Sequence, residues 1–182
     1  MVELHRVVTG HNGNGRSRIL FEDSGVNNVT IDSWPGGLAI TELWVTEEAP
    51  ADIDTEEDRS TRPLQHDPIT GGTIFRWLEF PPETAGQQID AGAIFAALGS
   101  DNTPSEEMSG RHFSMHRTDS IDYLVVVSGR MRMVMDDGEV MLRPGSCVVQ
   151  QGTNHAWINP GPEPCLMVAV LVDANKPAAL TT

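Results

Sequence analysis

Residues 121–142 read IDYLVVVSGRMRMVMDDGEVML. Met131, Met133 and Met135 alternate with Arg130 and Arg132, which gives an extended segment one apolar and one polar face. Ser128-Gly129 and Asp136-Asp137-Gly138 place glycines where tight hairpin turns need a positive φ. The stretch therefore predicts a compact antiparallel meander. The same period-two pattern, punctuated by glycine and proline, extends in both directions. It predicts further strands at Leu4–Val8, Arg18–Glu22, Leu38–Val45, Thr73–Phe80, Arg111–His116, Ser146–Gln150, His155–Ile158 and Cys165–Val172. So many short strands in a modest chain indicate an all-β sandwich or small barrel. One helix is expected, from Asp90 as its cap to Leu98, with Gly99 as its stop. Residues 46–72 and 100–110 read as loops.

The chain has 182 residues, with 12 Lys plus Arg against 26 Asp plus Glu, a formal charge of −14. Such a chain is repelled by phosphate, which argues against nucleic acid and anionic membrane surfaces. The longest apolar run, Cys165 to Val172, is far shorter than the roughly 20 residues of a spanning helix. The opening residues lack a secretory pattern and two cysteines cannot build a disulfide framework, so a cytoplasmic setting is expected. Glu47, Glu48, Asp52, Asp54, Glu56, Glu57 and Asp58 have no apolar periodicity between them and read as a solvated loop.

The chemistry concentrates between Gly110 and Asn159. The order is Gly110-x5-His116-x-Thr118-x3-Asp122-x6-Gly129, then Gly152-x2-His155-x3-Asn159. This resembles the cupin superfamily, whose first motif is Gly-x5-His-x-His, three or four residues, Glu-x6-Gly, and whose second ends Gly-x2-His-x3-Asn. The resemblance covers about fifty residues closely. It implies an antiparallel jelly-roll barrel, commonly dimeric, with the motif side chains in its mouth. Here that barrel would occupy residues 96–176, with residues 1–95 as an extension contributing strands and the acidic loop.

Two of the four usual ligand positions are altered: Thr118 stands for the second histidine, and the shorter Asp122 for the glutamate. His116, Asp122 and His155 remain, a set able to hold Fe, Mn, Zn or Ni with open positions. The alternative is a metal-free barrel in which His116 and His155 act as acid–base groups. Asp122 either joins them or orients His116 as an acceptor. Strand parity aligns His112, Ser114, His116 and Thr118, and places Leu124, Val126 and Trp157 toward the same interior. His112, Thr118, Leu124 and Trp157 are thus candidate pocket residues. Asp119 reads as a turn former, His66 as an exposed turn residue, and Cys147 and Cys165 as buried thiols.

The expected function is an enzyme performing non-redox proton chemistry, whether dehydration, isomerisation or decarboxylation, on a small apolar or aromatic molecule. An Fe(II)-dependent dioxygenase on the same residues and a non-catalytic ligand sensor are the alternatives. A homodimer is the expected assembly.

Overall fold

Alternation along one strand sets the architecture: Ser120, Asp122, Leu124 and Val126 turn inward, whereas Tyr123 and Val125 face out. The computed structural model describes residues 3–83, 89–100, 107 and 110–177. Before the helix run β1 (Arg6–His11), β2 (Ser17–Asp23), β3 (Asn27–Ile31), β4 (Leu38–Thr46) and β5 (Thr73–Phe80). The helix α1 spans Ala91–Ala97. After it come β6 (Ser120–Ser128), β7 (Met131–Met135), β8 (Glu139–Leu142), β9 (Cys147–Gln151), β10 (His155–Ile158) and β11 (Cys165–Asp173). All pairings are antiparallel, in a six-stranded sheet ordered β3-β4-β5-β11-β6-β9, a three-stranded sheet β10-β7-β8 and the hairpin β1-β2.

The two larger sheets bury their inner faces in one cluster. Ile40, Leu78, Phe80, Leu124 and Met167 from the first share it with Met131, Met133, Leu142 and Trp157 from the second. Residues 1–95 supply β3, β4 and β5 to the sheet that also carries β11, β6 and β9, so both segments enclose the same interior. The helix begins where Asp90 accepts the Ala93 N–H at 3.0 Å, and it buries Ile94, Phe95 and Leu98 in the same cluster.

Three expectations are corrected. Residues 111–116 form a turn rather than a strand, because the His112 ring accepts the Ser114 N–H at 3.2 Å and Met115 N–H donates to His112 O. The β3 strand, Asn27–Ile31, is added to the expected set; its polar sequence pairs with β4 at the sheet edge. Cys147 is exposed, facing outward on β9, while Cys165 is buried, and both are free thiols. The acidic segment is mostly exposed, but Asp58 reaches the buried Arg6 guanidinium at 2.8 Å, which also binds Asp23 at 2.7 Å. That guanidinium pulls the Asp23 carboxyl down to about 2. No helix among the described residues is long and apolar enough to cross a membrane.

Candidate functional site

His116 and His155 meet in a reciprocal backbone bridge, each N–H donating to the other's carbonyl at 2.9 Å. Directly opposed residues project their side chains to one face, and the two rings lie 4.4 Å apart by centroid. Two motif glycines pack closely against neighbouring backbone around this pair. Gly129 has φ +78°, and a Cβ there would stand 2.6 Å from Pro164 O. Gly152 has φ +58°, and its Cβ would stand 2.9 Å from Thr118 O. Asn159 serves the frame: its amide donates to Phe80 O and Glu163 O, and its oxygen accepts the Gly161 N–H.

Both rings line a cavity of about 70 Å³ inside the barrel. Thr118, Asp122, Leu124 and Trp157 line it too, as do His66 and Arg76; the remaining walls are mainly aliphatic and aromatic, with Trp34 and Phe80 among them. His112 lies outside that lining. Its Nε2–H donates to Glu83 at 2.9 Å and its Nδ1 faces the Ser114 hydroxyl at 2.8 Å, since the turn at 112–115 breaks the parity that would have aligned it with His116. His66, expected in an exposed turn, is buried against the site. Its ring packs 4.8 Å from His116 and 5.8 Å from Phe95. The Asp67-Pro68 turn after it gave no sign of this. Arg76 did leave a signal, because it shares parity with Ile74, Leu78 and Phe80 on β5.

Hydrogen bonds fix the chemistry of the two central rings. His116 Nδ1 lies 2.7 Å from Ser114 O and His155 Nδ1 lies 2.9 Å from Thr153 O. A carbonyl oxygen only accepts, so each Nδ1 carries the hydrogen. Burial holds both rings uncharged: it pushes His155 down to about 4, and it lowers His116 well below the usual range, helped by neighbouring His155 and His66. Nε2 is therefore the basic atom of each ring. Burial acts oppositely on Asp122 and raises its carboxyl to about 6, against the Ser120 hydrogen bond and the charge of Arg76. The Ser120 hydroxyl lies 2.6 Å from Asp122 Oδ1 and 2.7 Å from Thr118 Oγ1, linking the three in one chain. Asp122 makes no bond to His116; the Ser114 carbonyl, not the carboxylate, sets that ring's tautomer.

The expected metal set is not assembled. Among the described residues, no three His, Cys, Asp or Glu side chains are grouped to hold a metal ion. Thr118 replaces an imidazole, and the short Asp122 side chain is engaged by Ser120. The residues present thus do not fit a three-ligand centre.

A cupin-domain family model matches residues 103–171. A cupin-domain-containing oxidoreductase of Aspergillus ruber is 31% identical over 178 residues, spanning 93% of this chain and 72% of that protein. Phomopsin biosynthesis cluster protein C' of Diaporthe leptostromiformis is 32% identical over 141 residues, spanning 73% and 70%. Among solved structures, a Cupin 2 conserved barrel domain protein from Salinispora arenicola covers 75% of this chain and 76% of its own, at TM-score 0.39 and 16% identity.

Proposed function

We propose, from the premise that this chain belongs to the cupin superfamily, that it is a small-molecule enzyme performing proton-transfer chemistry in its barrel. The reaction class is dehydration, isomerisation or decarboxylation of a small, largely apolar molecule. One observation carries the reading: an uncharged pair of imidazoles and a carboxyl of raised pKa line the same largely apolar cavity. A group held near 4 and a group held near 6 leave, between those values, a free base and a protonated acid together, without a standing charge on either. Nε2 of His155 or His116 takes the proton, and Asp122 gives one through its own oxygen or the Ser120–Thr118 hydroxyls. The aliphatic and aromatic walls keep the local dielectric low, so the imidazolium is stabilised as negative charge develops on the substrate beside it.

The experiment is hydrogen exchange in deuterated water. A panel of small ketones, hydroxy acids and unsaturated acids is incubated with the protein, and deuterium gain at carbon is read by mass spectrometry. Exchange should appear for some member, follow a bell in pH with limbs near 4 and 6, and fall by about a hundredfold or more in His155→Gln. No exchange with any member overturns the reading.

The word oxidoreductase in the name of the Aspergillus ruber relative favours a second reading, redox chemistry on a small molecule in the same cavity. Oxygen uptake by protein supplied with ferrous ion, with no carbon exchange, would select it. Ligand binding with neither signal would select the sensor.

A further inference from the structure

Arg76 is 4% exposed and lines the cavity, yet its guanidinium is only partly used. Nη2 donates to Glu42 Oε1 at 2.9 Å and to Gln65 O at 2.7 Å. Nε is buried with no hydrogen-bond partner among the described residues, as is Oε2 of its ion-pair partner Glu42. An unmet cationic donor buried away from water is unfavourable, so its retention calls for an acceptor that the described residues do not supply.

Charge decides which acceptor. The Arg76–Glu42 pair is already neutral as a unit, since Glu42 sits opposite it on β4. A ligand carboxylate would bring a standing, uncompensated anion into a cavity whose other groups are neutral imidazoles and Asp122. A carbonyl oxygen enters uncharged, and it gains charge only as the reaction proceeds. Preorganised donors act best on charge that appears in the transition state.

We propose that Arg76 is the oxyanion-binding residue of this site and that the substrates are small, uncharged carbonyl compounds reacting through an enolate. This rests on the proton-transfer reading above. As Nε2 of His155 or His116 forms its N–H bond, the neighbouring C–H bond breaks. The C–H pair becomes a C=C bond and the C=O π pair moves to the oxygen, which accepts from Arg76. In a β,γ-unsaturated substrate the enolate extends over the second double bond; the same proton returns from the imidazolium to the γ carbon, the C=C pair shifts to the α,β position, the oxygen pair re-forms C=O, and an isomer results with no further reactant.

The test uses 4-nitrophenol, whose phenolate resembles an enolate in shape and charge. Trp34 and Trp157 line the cavity, so binding is read by quenching of tryptophan fluorescence and ionisation by the visible phenolate band. The wild-type protein should bind the phenol and show the phenolate band at a pH where the free phenol is neutral. Arg76→Gln should lose the band and about ten- to a hundredfold in affinity, the scale of one hydrogen bond to a charged group. Because that variant leaves Glu42 buried alone and risks unfolding, Glu42→Gln/Arg76→Gln is made as well; it removes both charges and keeps the shapes. Absence of binding, binding as the neutral phenol, or an equal phenolate band in the double variant each overturns the proposal. The probe reports on the oxygen site and deuterium exchange on the carbon, so either reading can fail while the other stands.

Discussion

Asp122 is a carboxyl that the fold holds at a cost in stability. Its pKa in the folded chain is about 6 against an ordinary 3.8, because burial outweighs the Ser120 hydrogen bond. A raised folded pKa contributes stability that is complete below 3.8 and lost as pH rises through 6. Asp122→Asn removes that titration and keeps an oxygen for the Ser120 hydroxyl. The variant should match the wild type near pH 4 and exceed it by about 2–3 kcal/mol at pH 7, measured by urea unfolding at both pH values. Equal stability at pH 7 would mean the carboxylate is compensated. His155 has the opposite sign. Its pKa is depressed to about 4, so its contribution is present above the ordinary 6.5 and lost as pH falls toward 4. His155→Gln should therefore unfold less steeply on acidification between those values. These two residues were legible from motif spacing. His66 and Arg76 were not: one precedes an ordinary turn, and the other was absorbed into a strand whose alternation was read for its apolar members only.

Strands whose ends coincide with a change of chemistry were read residue for residue, as at β5 and β10. The failures share a cause. At 111–116, and again at β3, the residues have no strong apolar alternation, so side-chain hydrogen bonds decided the first and edge pairing with β4 the second. The turn after β6 shows how a motif glycine acts through its element. Gly129 takes φ +78° and lies against Pro164 O and Cys165 at the start of β11. Gly129→Ala should cost about 2 kcal/mol or more, combining left-handed strain with a backbone clash, and thermal unfolding should report it. Because β11 is the strand between β5 and β6, the variant should also weaken binding in the cavity they wall. The exposed Gly138, whose Cβ would meet nothing within 4 Å, is the control: there Gly→Ala should cost only the strain of its positive φ.

The six-stranded sheet has two faces, and only the inner one is accounted for by the barrel. On the outer face, cross-strand register aligns Phe75, Val170, Tyr123 and Val149, and beside them Trp77, Val168, Val125 and Cys147. Val149 is 58% exposed and Tyr123 51%, so this apolar surface is open rather than covered by the chain itself. Contiguous exposed apolar patches on a monomer mark a contact surface, and β9 is the edge strand of the sheet among the described residues. The expected occupant is a second copy, related by a twofold axis that sets the patch against itself. Each copy carries a formal charge of −14, so association works against mutual repulsion, and salt should tighten it by screening that repulsion while leaving the apolar contact intact. Sedimentation at micromolar concentration should find a dimer that strengthens from low to physiological salt. Val149→Glu combined with Tyr123→Lys should give a monomer with the cavity unchanged, because both side chains point away from it. A wild-type monomer at all salt concentrations, or a dimer undisturbed by the double variant, would place the contact elsewhere or remove it.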